Sequence, residues 1–212
     1  MKVINFILFF YLILFNNVYA NSDFDKWLIS FTKIALNQGI SENTINKVLV
    51  DAKFLPEVIK YDRYQPEFYE DTKTYVNKRV TKRKVNNGIN LFKKNSKVIY
   101  QIEKEFDVEK ELLLALMGIE TNYGNYLGKM DIISSLATLS FDKRRSEFFS
   151  KELITALKLI DIGLIESNTL YGSWAGAFGN FQFMPSTISK YAINYDKNKS
   201  IDLKSINDSF AS

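Results

Sequence analysis

The stretch Met117-Gly118-Ile119-Glu120-Thr121-Asn122-Tyr123-Gly124 places a carboxylate at the end of a strongly apolar segment. With Asp107 as the N-cap, the preceding residues predict a helix that ends near this stretch. Leu113, Leu116 and Glu120 then recur at helical spacing and share one face. We therefore expect the Glu120 carboxylate to lie on or beside the apolar stripe that turns to the protein core.

That position would perturb the Glu120 carboxyl in two ways. Burial disfavours its charged form, and the negative C-terminal end of the helix dipole disfavours that form further. Both effects raise the pKa, which would keep a proton available near neutral pH and suit a general acid. The alternative is a glutamate at the edge of the stripe that points to water, and periodicity favours neither interpretation.

The sequence contains neither cysteine nor histidine. Without cysteine it has no disulfide, no thiol nucleophile and no lipid-modified N-terminal cysteine. Without histidine, Ser-His-Asp catalysis and the usual zinc sites are excluded. Acid/base chemistry would therefore depend on carboxylates, with Tyr or Lys as helpers, and this strengthens Glu120 as a candidate.

Residues 1–20 are typical of a secretory signal peptide. Lys2 gives the positive start, Val3–Phe15 is apolar apart from one Asn, and Val18-Tyr19-Ala20 resembles a cleavage site. The apolar run is shorter than the roughly 20 residues that span a bilayer. We predict an exported protein that is not a lipoprotein, with an uncleaved membrane anchor as the alternative.

The formal net charge is +4, and basic residues concentrate in Lys78–Lys84 and Lys93–Lys97. A basic surface suits an anionic polymer, which could be nucleic acid, anionic lipid or cell-wall glycan. Export argues against nucleic acid. For each stretch the alternative is a solvated face that keeps the protein soluble.

Apolar periodicity predicts a mainly helical chain. Besides the Glu120 helix, helices are expected at 24–37, 41–53, 70–80, 81–95, 96–106 and 145–165, after Pro185 and from 208 onward. Pro56 and Pro66 bracket a segment that we expect to be extended or irregular. Gly118, which costs its helix about 1 kcal/mol relative to Ala, predicts close approach by a backbone or a ligand, or tight packing.

The segment Tyr171–Asn180 is rich in glycine, alanine and aromatic residues. Such a composition favours tight turns with exposed backbone, and its aromatic rings offer platforms on which sugar rings can stack.

Six motifs, in order along the chain, resemble those of the lytic murein transglycosylase B family, whose members cleave peptidoglycan. They are Asp62–Phe68, Asn77–Val80, Gly118–Gly124, Leu136–Phe141, Arg144-Arg145 with Phe148-Phe149, and Gln182–Ser186. Each motif is weak alone, whereas six at compatible spacing are specific.

The resemblance implies a mainly α, lysozyme-like core at 96–212 and a helical N-terminal region at 21–95. Glu120 matches the single catalytic acid/base of the family, and Ser173, Gln182, Arg144 and Arg145 match positions that line the glycan groove. Each of these four has a structural alternative. The arginines could be surface charges at a helix start, Gln182 could hold a turn, and Ser173 could cap one.

The chemistry implied is non-hydrolytic cleavage of the β-1,4 bond between N-acetylmuramic acid and N-acetylglucosamine, with 1,6-anhydromuramoyl ends. The resemblance also implies a periplasmic location and peptidoglycan strands as partner, with no nucleic acid and no required cofactor. A non-catalytic glycan-binding scaffold is the alternative. A lysozyme-type hydrolase is disfavoured because no partner carboxylate is evident.

The sequence departs from the family pattern in three places. Asn180-Phe181 precede Gln182 where glycines are usual, which could alter the groove wall. A calcium loop of the family would place oxygen ligands at Asp196, Asn198 and Asp202, but a lysine and a serine stand where its glycine and glutamate belong. Calcium binding is therefore not expected, and a polar surface loop is the alternative. Third, family members continue beyond residue 212, so we expect an incomplete core with uncovered apolar faces.

Overall fold

The computed structural model describes residues 22–64, 70–167 and 170–212. The predicted signal peptide and part of the first family motif, residues 65–68, lie outside the described residues.

The described chain is built from helices with one very small sheet. In order they are α1 (residues 22–37), α2 (Glu42–Thr44, continued by a π-helix at Ile45–Leu49), α3 (Pro56–Arg63), α4 (Thr72–Arg79), α5 (Lys82–Phe106), α6 (Lys110–Thr121), β1 (Met130–Asp131), α7 (Ile132–Phe141), α8 (Ser146–Asp161), β2 (Tyr171–Gly172), α9 (Pro185–Tyr191) and α10 (Ile206–Ala211). Among the described residues, no helix combines the length and the apolar character needed to cross a membrane.

The larger core surrounds α7, in which every residue from Ile132 to Ser140 is buried. A helix that is buried on all sides needs neighbours on every side. Helices α3 and α8 pack directly against it. Side chains of α1, such as Phe24 and Phe31, join the same cluster.

A second, smaller cluster holds α5, α6 and α10 together. Its buried members include Ile99 and Ile102 of α5, Met117 of α6 and Phe210 of α10. The helix that carries Glu120 therefore rests on this second cluster rather than on the α7 core.

The segment after Pro56 is helical, so the prediction of an extended or irregular segment is wrong. Pro56 is the first residue of α3, a position at which a missing N–H costs nothing. Val58 and Asp62, one helical turn apart, are both buried on the side that faces the protein. Because these contacts come from distant residues, local propensity did not reveal the helix.

Two helix boundaries also differ from the prediction. Residues 81–95 and 96–106 form the single helix α5, kinked at Asn95 (φ −120°, ψ 19°), whose side-chain amide donates to the Leu91 carbonyl at 2.9 Å. Asp107 is not the N-cap of α6 but ends α5 in the left-handed conformation (φ 54°), which a short polar residue tolerates. Glu109 precedes α6 instead.

The small sheet brings two distant loops together. Met130 of β1 pairs with Gly172 of β2 in antiparallel register. Gly128, just before β1, lies so close to this pair that an added Cβ would be 2.0 Å from the Gly172 carbonyl oxygen. The loop that follows α6 is therefore held against the segment that contains Ser173 and Gln182.

Candidate active site

Glu120 occupies the last turn of α6, and its side chain is exposed. Met117 is buried on the inner side of the helix, whereas Leu116 and Ile119 are 41% and 56% exposed. The expectation that the stripe turns to the core is wrong at Leu116, because that part of the stripe faces outward. Glu120 lies at the edge of the stripe, as the alternative interpretation had it.

Exposure does not leave the Glu120 carboxyl in a water-like environment. Burial by the surrounding protein raises the pKa of this group above its ordinary value. Among the described residues none donates a hydrogen bond to the carboxylate, and desolvation is the sole cause of the shift. A neighbouring carboxylate would add like-charge repulsion to the causes. No second carboxylate among the described residues therefore contributes to the raised pKa of Glu120.

The turn after Glu120 is backbone-strained. Asn122, Tyr123 and Gly124 all have positive φ angles of 51°, 61° and 77°. Asparagine and glycine adopt this region readily, but for a tyrosine it is an outlier that surrounding contacts must hold in place. One of these contacts is the hydrogen bond that the Tyr123 N–H donates to the Met117 carbonyl at 3.2 Å.

The Tyr123 ring lies over two glycines, one on each of two packed helices. A Cβ at Gly118 would meet ring atoms at 2.7 Å, and a Cβ at Gly88 would meet the hydroxyl at 2.6 Å. The close approach predicted at Gly118 is thus packing by an aromatic side chain. It fixes the turn that follows the candidate acid.

Replacing Gly118 with alanine should displace this ring. Overpacking costs about 1–3 kcal/mol, which exceeds the gain of about 1 kcal/mol in helix propensity, so we expect net destabilisation. Urea unfolding should show a lowered midpoint with an unchanged slope. In a Tyr123→Ala background the same substitution should stabilise, because the clashing ring is gone. An equal loss in both backgrounds would contradict this account.

Asn180, not singled out as a site residue from the sequence, ties the candidate acid's helix to the C-terminal elements. Its main-chain carbonyl accepts from the Thr121 hydroxyl at 2.8 Å. Its side-chain amide donates to the Lys204 carbonyl and to the Ser209 hydroxyl, both at 3.0 Å. The only signal in the sequence was the departure from glycine at this position.

Phe181 follows Asn180 and packs into the second cluster. Its ring meets the Phe210 ring edge-on, with centroids 5.3 Å apart, and stacks on Phe183 at 6.0 Å. These contacts join Phe181 to α10.

Gln182 and Ser173 lie in the segment that is held against the loop after α6, and both organise turns. The Gln182 amide donates to the Gly179 carbonyl at 3.0 Å and to the Leu127 carbonyl at 3.4 Å. The Ser173 hydroxyl accepts from the Ala177 N–H at 3.0 Å. Gln182 therefore holds a turn and Ser173 caps one, as the structural alternatives for these two residues predicted.

Arg144 and Arg145 converge on a single buried carboxylate. Arg144 Nη1 lies 2.6 Å from Asp62 Oδ2, and Arg145 pairs with the other oxygen of the same carboxylate. The Asp62 side chain is 1% exposed, whereas the two arginines are 47% and 39% exposed. The arginines therefore fasten α3 to the start of α8.

The arginine pair and the β1–β2 pairing lie at opposite ends of α7. The arginines follow the C-terminal end of α7, whereas the β1–β2 pairing next to Ser173 precedes the N-terminal end. A ten-residue helix separates the two places by about 15 Å along its axis. The predicted groove residues thus fall into two sets.

The loop proposed as a degenerate calcium site is closed by its own backbone. Oxygens of Asp196, Asn198 and Asp202 accept N–H groups two residues further on, at 3.1, 3.0 and 2.9 Å. The buried Asp208 carboxylate accepts from the backbone of Tyr195 and of Asp202, each at 2.8 Å.

The side-chain oxygens of this loop do not make a strong cation site. Calcium takes six to eight oxygen ligands, and no group of three or more acidic or other strong metal-ligating residues occurs in the described part of the chain. Lys197 and Lys199 offset the two loop carboxylates. Only Asn194 Oδ1, buried without a described partner, favours a bound cation.

Comparison with known proteins gives concordant matches. The family model described as the transglycosylase SLT domain matches residues 23–212. The membrane-bound lytic murein transglycosylase B of Escherichia coli (strain K12) is 30% identical over 181 residues, which cover 81% of this chain and 50% of that protein.

Solved structures agree in fold. SltB3 from Pseudomonas aeruginosa, in complex with NAG-NAM-pentapeptide, superposes with a TM-score of 0.85 at 32% identity, covering 89% of this chain and 50% of that one. The Escherichia coli lytic transglycosylase Slt35 in complex with calcium gives 0.76 at 30% identity, covering 87% and 59%. The predicted mainly α, lysozyme-like fold is confirmed. The chain spans about half the length of the first two of these relatives.

Proposed function

The chain belongs to the transglycosylase SLT-domain family, and on that premise we propose that it cleaves peptidoglycan strands with Glu120 as its single acid/base. The observation that carries the proposal is the Glu120 carboxyl itself. Burial raises its pKa, and it stands in the family motif with no second carboxylate of the described residues perturbing it.

The proposed reaction cycles one proton through Glu120. The protonated carboxyl donates to the glycosidic oxygen as the bond to C1 of N-acetylmuramic acid breaks. The 6-hydroxyl of the same sugar then attacks C1, and the Glu120 carboxylate removes the hydroxyl proton. The products are an N-acetylglucosamine end with a free hydroxyl and a 1,6-anhydromuramoyl end.

One carboxylate suffices for this sequence of steps. Glycosidases that use water need a second carboxylate as nucleophile or base. Here the nucleophile belongs to the substrate and is already close to C1, so no water has to be held and activated. Glu120 regains its proton at the end, which returns the site to its starting state.

We propose that Ser173 and Gln182 position the glycan near Glu120, and that Arg144 and Arg145 contact the strand further away. A linear polymer can reach both sets, and the arginines keep exposed surface beside their contacts with Asp62. We further propose export to the periplasm without lipid modification, and catalysis without a metal ion.

Product analysis of digested peptidoglycan tests the reaction. With EDTA present, the chain should release 1,6-anhydromuramoyl ends, and a Glu120→Gln variant should release far fewer of them. Reducing ends would indicate hydrolysis by water. Unchanged glycan that still binds the protein would indicate a scaffold.

The scaffold is the second candidate, and one observation favours it. Leu116 and Ile119, within one helical turn of the candidate acid on α6, are 41% and 56% exposed. Because the described residues cover these side chains only in part, water is less completely excluded from the Glu120 carboxyl. A groove of this kind could bind glycan with little or no turnover.

A further inference from the structure

Helix α5 carries a basic surface on the side away from α6. We call it the basic stripe and define it by six exposed cations: Lys82, Arg83, Lys93, Lys94, Lys97 and Lys104. Lys82, Lys93 and Lys97 are separated by 11 and 4 residues, which is helical spacing. Exposed Asn86 and Asn90 fill the gaps in the same row. Buried Gly88, Ile99 and Ile102 occupy the opposite side, which faces the protein.

The charges of the basic stripe are not neutralised from within. Throughout the described ranges, none of its six cations forms an ion pair. Neighbouring cations do. Lys78 lies 2.5 Å from Glu70, and Lys110 lies 3.1 Å from Glu103. The stripe therefore keeps its positive potential for an external anion.

The stripe continues across the kink at Asn95. Lys94 before the kink and Lys97 after it both line one cavity of about 480 Å³, and the Asp196 side chain lines it from the other wall. Two cations face one carboxylate there, so the recess keeps a net positive charge.

Exposed apolar side chains border the stripe along one edge. Val85, Ile89 and Tyr100 are 50%, 46% and 51% exposed. Val85 and Ile89 also line an apolar groove of about 300 Å³ between α5 and α6, with Phe92 on its wall. Cations that alternate with exposed apolar groups along one helix are typical of proteins that lie on a bilayer surface.

We propose that the outer face of α5 docks on an anionic phospholipid surface. The cations of the basic stripe meet the lipid phosphates, while Val85, Ile89 and Tyr100 enter the interface between headgroups and acyl chains. Nucleic acid or an acidic glycan would use the same charges but would have no use for the apolar edge.

Vesicle sedimentation tests the proposal with the full 212-residue chain. The protein should bind vesicles in which roughly one third of the phosphatidylcholine is replaced by phosphatidylglycerol, and raising the salt concentration should weaken binding. Vesicles of phosphatidylcholine alone report any insertion of the apolar N-terminus. A Lys93→Glu/Lys94→Glu/Lys97→Glu variant should bind the anionic vesicles at least about 100-fold more weakly.

The matched control reverses three exposed lysines elsewhere, Lys33, Lys158 and Lys190, and carries the same net charge. It should bind like the unmodified chain. Equal losses in both variants would reduce the effect to net charge and overturn the proposal. Equal binding to neutral and anionic vesicles would overturn it too. The proposal would also be overturned if the basic stripe were required for binding to purified peptidoglycan or heparin while the protein did not bind vesicles.

Discussion

Replacing Glu120 with glutamine should lower peptidoglycan cleavage by about a thousandfold or more. General acid/base catalysis contributes about 10²–10⁴-fold in a single role, and Glu120 is proposed to serve both as acid and as base. The amide keeps the shape of the side chain but can neither donate the proton nor take one back. The measurement is the rate at which soluble anhydromuropeptides are released from purified peptidoglycan.

The variant should be otherwise intact. Glu120 is exposed and receives no hydrogen bond from the described residues, so its replacement removes no structural contact. The urea midpoint and the affinity for undigested glycan should therefore change little. Glu111→Gln is the matched control, because Glu111 is an exposed carboxylate on the same helix. It should retain near-normal cleavage.

The pH dependence gives a second readout of the same assignment. Because burial raises the pKa of Glu120, the protonated form needed for the first step persists to higher pH than for an ordinary glutamate. Cleavage should fall as the pH rises through that raised value. Turnover by Glu120→Gln above about a tenth of the normal rate, or with the same pH profile, would remove Glu120 from the mechanism.

The helical skeleton and the catalytic candidate were accessible from the sequence because they depend on local signals. Gly39 ends α1 with a φ of 85°, and Pro185 begins α9, as their residue types predict. Glu120 stood out because acid/base chemistry without histidine leaves few options. Its orientation was left open between two interpretations, and the structure shows the exposed one, since the apolar face of α6 is only partly covered. Periodicity identifies an apolar face but not what packs against it.

The remaining features depend on partners far away in sequence. Asp62 is buried because two arginines more than 80 residues later reach it. Asn180 matters because α6 and α10 meet at its amide and carbonyl. In both cases the hydrogen-bond partners of a buried polar side chain come from distant residues, and neither the helical period nor the residue type predicts them. The same reason explains why α3 was missed.

Replacing both Arg144 and Arg145 with glutamine should destabilise the protein by about 3–5 kcal/mol, because it leaves a buried carboxylate without its cations. The Asp62 side chain is 1% exposed, so bulk water would not replace the two cations without a change in the fold. Urea unfolding should show a large drop in the midpoint. Arg63→Gln is the matched control, since Arg63 pairs at 2.7 Å with Asp142 but is itself 54% exposed, and exposed pairs contribute about 1 kcal/mol or less.

The reverse change should cost less. In Asp62→Asn both guanidinium groups remain and, being 47% and 39% exposed, can turn to water. Adding Asp62→Asn to the double arginine variant should therefore restore part of the lost stability, since it removes the unpaired buried charge. This rescue separates a structural role from a glycan-binding one. Arginines that only bind the strand would lower glycan affinity without moving the urea midpoint, and Asp62→Asn would then rescue nothing.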